Sequence, residues 1–175
     1  MKLELVLDEV ELPWSPAPEW SSGLEALLAA TSAADCALQV VITDDDTLRD
    51  HNREYRGLDR STDVLSFSYL ENHEGHEESL LPAGVDLHDY LDPPGPEGGP
   101  ALAGQILVSA ETVCRRGPVH TGVLDQEMAF MVLHGLLHVL GFDHADDASA
   151  ARMREHEVRL MNALGYPAPR PEVAD

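Results

Sequence analysis

The stretch that decides the fold runs His134-Gly135-Leu136-Leu137-His138-Val139-Leu140-Gly141-Phe142-Asp143-His144. Its first seven residues close an apolar run that begins at Met128. Such a run predicts a helix, and each helical residue turns the chain by about 100°, so His134 and His138 share a face one turn apart. Gly141 is suited to the left-handed conformation that ends helices. A chain that reverses there carries His144 back toward the other two. Three imidazoles packed near an apolar helix need partners, and one ion serves all three. Three protein ligands leave a fourth zinc position open, which is the pattern of a catalytic rather than a structural site. The chain has nine histidines, so a helical pair alone carries little weight. The third histidine, just past a glycine stop, makes the pattern specific.

Outward from this stretch, the central helix is expected to start between Thr121 and Gln126 and end at Leu140. It is apolar nearly all round, as a core helix should be. Downstream, Ala148–Leu164 reads as an amphipathic helix stopped by Gly165-Tyr166-Pro167, with a frayed tail over 167–175. Upstream, Gly104–Ser109 reads as a strand, leading into a short helix through Arg116 that Gly117-Pro118 ends. Asp63–Tyr69 alternates apolar and polar residues and predicts a second strand. Residues 71–100 hold eight acids and no Lys or Arg, with a Pro/Gly-rich end, and read as a loop insertion. His73, His76 and His88 fall in it, where solvent exposure is the expectation. Asp44-Asp45-Asp46 opens a helix that runs to Arg56 and stops at Gly57, since carboxylates suit a helix start. Ala37–Thr43 is the strongest strand and Lys2–Asp8 a half-buried one. Between them lie three prolines, at 13, 16 and 18, and a short helix over Ser22–Ala30.

At 175 residues the chain fits one domain, here taken as 1–166 plus the tail. No apolar run reaches membrane-spanning length. Cys36 and Cys114 form no disulfide pattern and read as inert thiols, so a cytoplasmic setting is the expectation. Net charge is −21, from 32 acids against 11 bases, ten of them arginine. That argues against loose binding to DNA or to anionic membrane, though a local basic groove on an acidic body is compatible with it.

A zinc ion on neutral histidines lowers the pKa of bound water to about 7 and so supports hydrolysis. The helical metallopeptidase motif carries glutamate directly after its first histidine; here Gly135 stands there. A missing side chain at that point permits close approach of a neighbouring element or of substrate. Asp143 is the nearest acid. It can orient a histidine, act as a base, or shape the turn. A phosphodiester needs cations for its developing charge. Arg49, Arg53 and Arg56 share a helix face, with Arg60 just beyond. Arg56 at the helix exit is the candidate catalytic cation, and Arg53 and Arg60 are candidates for holding substrate. Ion pairing to Asp46, Asp50 and Glu54 on a solvated face is the competing reading.

The stretch 134–144 resembles the signature of the YbeY family of bacterial endoribonucleases. Asn52-Arg53-Glu54-Tyr55-Arg56-Gly57 followed by Ser61-Thr62-Asp63-Val64-Leu65-Ser66-Phe67 is similar to that family's second block. Gly104-Gln105-Ile106-Leu107-Val108-Ser109 is similar to the third, and Ala163-Leu164-Gly165-Tyr166 to its close. The resemblance implies a single compact α+β domain, with a small mixed sheet packed against helices and a zincin-like central helix. It implies one Zn²⁺ held by His134, His138 and His144, and a functional Arg56. It further implies cleavage of single-stranded RNA, work in 16S rRNA 3′-end maturation and ribosome quality control, and contact with small-subunit proteins. Gln105 stands where the family usually has aspartate and Ser68 where it usually has proline, and the 71–100 stretch is longer than the family's usual loop. A metallohydrolase for another substrate class, or a ribosome-biogenesis factor with structural zinc, are the alternatives.

Overall fold

β2 (Cys36–Thr43) is the strand on which the others gather, apolar along most of its length and buried at six of its eight positions. A computed structural model describes its surroundings over residues 1–9, 11–31, 35–70 and 99–170. Apart from Gly99 and Pro100, the acidic 71–100 stretch with its three histidines lies outside the described residues, as does the tail beyond Arg170. β1 (Lys2–Leu7) pairs with β2 in parallel on one side. β4 (Ala101–Ser109) pairs with it in parallel on the other, and β3 (Val64–Ser68) closes the sheet antiparallel to β4. The order β1-β2-β4-β3 makes a four-stranded mixed sheet.

Strand alternation sorts the two faces. Val40, Ile106 and Val108 enter the main core, shared with α1 (Pro18–Thr31) and α4 (Leu124–Val139). Leu65 and Leu107 point the other way, against Leu48 of α2 (Asp45–Arg56). α3 (Ala110–Arg116) follows β4 directly, with the Ser109 hydroxyl accepting from Thr112 N. α5 (Asp147–Ala163) opens on a reciprocal cap between Asp146 and Ser149 and packs beside α4. None of these helices is long and apolar enough to cross a membrane.

Three elements differ from the sequence expectation. α1 begins at Pro18, four residues early. Proline breaks a helix interior but suits a first turn, where its missing N–H is not needed. β4 begins at Ala101 rather than Gly104, because Ala101 and Leu102 gain partners in Cys36 and Ala37 that local propensity does not reveal. The tail is held rather than frayed as far as Arg170: Arg170 N donates to His120 O at 2.6 Å, and Arg154 donates to the carbonyls of Pro169 and Arg170.

The start of α4 is pinned by two indoles. Trp14 Nε1 donates to Asp125 Oδ1 at 2.7 Å and Trp20 Nε1 to Asp125 O at 2.9 Å, with the rings edge to face. Along its length α4 lies close on β4. A Cβ at Gly104 would stand 2.6 Å from a Val139 methyl, and one at Gly135 would stand 2.8 Å from Ile106 Cγ2. Cys36 is buried and Cys114 partly so; both are free thiols, raised by burial.

Candidate metal centre and arginine groove

His134 and His138 stand on the exposed margin of α4, with Nε2 atoms 3.2 Å apart. Gly141, at φ 87°, ends the helix as its sequence predicts. Phe142 N donates back to Leu137 O, and the turn brings the Phe142 carbonyl 3.0 Å from His138 Nδ1. His144 follows, exposed, its ring centre 5.8 Å from that of His134 and 5.2 Å from that of His138. One ring nitrogen from each of the three lies within 4.8 Å of the others.

The donor set fits a divalent metal. With zinc–nitrogen bonds of about 2.0–2.1 Å, two nitrogens of a tetrahedral site lie roughly 3.3 Å apart, close to the His134–His138 separation. Both helical rings have Nδ1 engaged, by Glu157 Oε1 at 2.8 Å and by Phe142 O at 3.0 Å, which leaves each Nε2 lone pair for an ion. Burial, together with the neighbouring His134 and His144, pulls the His138 imidazole down to about 4. It is therefore neutral at pH 7, the form that binds metal. Glu157 escaped the sequence reading because it comes from α5, 23 residues away in the chain. Asp143 accepts from the His144 backbone N–H at 2.7 Å and so stabilises the turn. Gly135 faces β4, and the close Ile106 contact leaves no space for the glutamate of a peptidase motif.

A cleft of about 420 Å³ opens beside His134 and His144, with His120, Arg154 and Asp63 among its other walls. Asp63 also borders a second cavity of about 320 Å³ that carries Arg56, Arg60, Arg115 and Arg116. Asp63 is thus a wall common to both cavities, and its carboxylate pairs with Arg116. Among the described residues neither Arg56 nor Arg60 has an ion-pair partner. Asn52, buried in α2, donates to the Arg60 carbonyl at 2.8 Å and fixes that turn. None of Arg53, Arg56 and Arg60 lines the histidine cleft itself: Arg56 and Arg60 line the second cavity, and Arg53, a candidate for holding substrate, stands apart from both. It pairs with Asp50 at 2.6 Å and Asp59 at 3.6 Å and lines neither cavity; Arg49 pairs with Asp59 likewise. The charged-face reading thus holds for Arg49 and Arg53, with Asp59 rather than Asp46 or Glu54 joining Asp50 as the partner, while Arg56 and Arg60 line the groove. Arg115 and Arg116 were not singled out from sequence. They reach the groove only because β4 delivers α3 beside the loop after α2.

Asp45 ties this region together. Its Oδ1 accepts from Ser61, Ser109 and Thr112 at 3.1, 2.5 and 2.5 Å, and its Oδ2 from Arg115 at 2.8 Å. Partial burial would raise this carboxyl, but those donors outweigh it and hold it at about 2. The two departures from the resembled pattern also have local explanations. Ser68 Oγ donates to Val139 O at 2.8 Å, satisfying a carbonyl at the end of α4. Gln105 donates to Gln39 on the sheet face turned away from α4.

An α+β domain with two histidines on its core helix and a third just past the turn that ends it, next to a cavity lined by four arginines, defines a class: a candidate metalloprotein built to meet an anionic ligand. Comparison with known proteins narrows this. The chain belongs to the YbeY family, whose profile, described as Endoribonuclease YbeY, matches residues 17–165. It is 32% identical to Endoribonuclease YbeY of Moorella thermoacetica over 93% of this chain and 98% of that one. It is 37% identical to that of Heliobacterium modesticaldum over 75% and 71%, and 34% identical to that of a Synechococcus strain over 93% and 90%. Among solved structures, TM1509 from Thermotoga maritima aligns over 91% of this chain and 89% of its own, with a TM-score of 0.48 and 20% identity.

Proposed function

We propose that this chain is a zinc-dependent endoribonuclease that cuts single-stranded RNA. The observation that carries the reading is that Asp63 walls both the cleft beside the histidines and the arginine groove. RNA presents a phosphate at every nucleotide. Arg56 and Arg60 would bind the phosphates flanking the cut and orient the backbone, and hydrogen bonds from a fixed guanidinium to a phosphate strengthen as charge develops. His134, His138 and His144 would hold the ion, which when bound supplies Lewis acidity and an activated water. Glu157 and the Phe142 carbonyl keep two of the rings aimed. The names of the relatives support the substrate class. The family resemblance also supplies the biological setting: 16S rRNA 3′-end maturation and ribosome quality control in the cytoplasm, beside small-subunit proteins. A peptidase is disfavoured by the filled space at Gly135.

The test pairs metal analysis with cleavage of a labelled single-stranded RNA. His138→Ala is expected to lose both the metal and cleavage. Arg56→Ala is expected to keep the metal and lose cleavage by about 10²–10³-fold, the usual worth of one well-placed charge-stabilising donor. Full cleavage by metal-free His138→Ala protein overturns the reading.

A further inference from the structure

His120, in the wall of the histidine cleft, is paired with Glu127 behind it. His120 precedes α4 and is 7% exposed, and Glu127, in the first turn of α4, is 2% exposed. Their contact is short, with His120 Nδ1 2.6 Å from Glu127 Oε1. The same carboxylate accepts the backbone N–H groups of His120 and Thr121, each at 3.0 Å, and the Thr121 hydroxyl at 3.0 Å. Behind the ring, Arg170 N holds the His120 carbonyl at 2.6 Å. Beside it lies Phe130, with ring centres 4.7 Å apart, and Phe130 in turn neighbours His134, one turn further along α4. The imidazole is thus fixed on every side but one. Its Nε2 has no hydrogen-bond partner among the described residues, and the residue lines the cleft that His134 and His144 share.

We propose that His120 is a proton donor of the cleft, delivering the Nε2 proton to the ribose oxygen that leaves phosphorus, with Glu127 as its positioning residue. The inference rests on the ribonuclease reading. It follows from what the other groups are doing. Glu157 is engaged by His134, Asp63 by Arg116, and Asp143 by the His144 amide. Arg154 is bound to the tail carbonyls, and an arginine does not give up a proton near neutral pH. Among the described residues that line the cleft and are not in the candidate metal set, that leaves His120 as the proton donor. A carboxylate on Nδ1 fixes the tautomer, so exchange with substrate occurs at Nε2. Glu127 is held below the usual carboxylate range by its His120 and Thr121 donors, although burial works against this, and so it stays an acceptor. In the step itself the oxygen of water forms the new bond to phosphorus and the bond to the leaving ribose oxygen breaks. The Nε2 proton of the doubly protonated ring passes to that oxygen. The surplus proton of the water goes to solvent, and solvent reprotonates the ring.

The experiment compares two RNAs of one sequence, the second with sulfur replacing the leaving oxygen at the mapped bond. Sulfur leaves as thiolate and needs no proton. With the zinc-loaded full chain, His120→Gln is expected to cut the natural RNA about 10²–10³-fold more slowly, within the usual range for a general acid. It is expected to cut the sulfur-containing RNA within about tenfold of the unsubstituted enzyme, with unchanged metal content. The alkaline limb of the pH–rate profile, read on natural RNA, should vanish in His120→Gln and move in Glu127→Gln. The charged groups around the ring that bear on that limb are Glu127 from α4, Arg116 and Asp63 from the groove side, Arg154 and Glu157 from α5, and the histidine set. If His120→Gln does not fold, Glu127→Gln carries the same comparison, with a smaller loss confined to natural RNA. Equal losses on both RNAs, or no loss on either, overturn the inference while leaving the ribonuclease reading standing. An unsubstituted enzyme that cuts no RNA brings down the reading, and this inference with it.

Discussion

Each helical histidine of the candidate site owes its aim to a partner on Nδ1, a main-chain carbonyl for His138 and a side chain for His134, and the side chain can be removed without touching the ring nitrogens that face an ion. Glu157 is the informative one, since its carboxylate lies 2.8 Å from His134 and is itself approached by Arg154 at 3.5 Å. Glu157→Gln is expected to weaken zinc affinity by about 10–100-fold, as loss of an outer partner usually does. Competition with a chromogenic chelator measures this, and an unchanged affinity would assign Glu157 to packing alone. The three histidines were legible in the sequence because helical period and a glycine stop are local signals. Glu157, and the His120–Glu127 pair, were not. Their roles depend on α5 and on the loop before α4 coming alongside the site, which no spacing rule reports.

At the scale of elements, the contact between α4 and β4 sets how near the histidines lie to the sheet. Gly135→Ala puts a methyl 2.8 Å from Ile106 Cγ2. An exposed helix would gain about 1 kcal/mol from that change. Here overpacking, worth typically 1–3 kcal/mol, is expected to win and give a net loss measurable by denaturant unfolding. Ile106→Ala removes that methyl, so the double variant should lose less than the two single changes summed. The second junction is Asp45, which joins α2, α3 and the loop before β3. Its folded-state pKa of about 2 lies below the ordinary value of 3.8, so its contribution is fully present above about pH 4 and is lost as pH falls toward 2. Asp45→Asn should destabilise by about 1–3 kcal/mol at pH 7, the cost of stranding buried donors, and should flatten the stability curve across that acid window. The helices themselves were readable from caps and stops: Asp44, Gly57, Ser109 and Gly141 all act as their residue types suggest. The extra turn of α1 and the first residues of β4 were not, since Pro18 reads as a breaker and Ala101–Ala103 have weak strand propensity. The parallel partnership of β2 with β4 also has no local signature, because α2 and β3 lie between them in the chain.

For the molecule as a whole, a formal charge of −21 opposes any polyanion, so affinity for RNA must come from the few cations gathered in one place. Single-strand binding should weaken as salt rises, with a slope of about 0.7 per phosphate neutralised. Arg60→Gln is expected to reduce that slope by about one such unit. Arg53→Gln, on an arginine already paired with Asp50 and Asp59, should leave it unchanged. Fluorescence anisotropy across a salt series separates the two, and equal effects would mean that the groove is not the binding surface. The two indoles at the head of α4 give the molecule a built-in optical gauge. Trp14 and Trp20 are its only tryptophans, and both donate to Asp125. That residue lies nine positions before His134, about 13 Å along the helix axis. Emission from this protein on denaturation therefore registers when the far end of the histidine-bearing helix lets go. A chelator titration that silences catalysis without shifting that emission would mean the scaffold stands ready before any ion arrives.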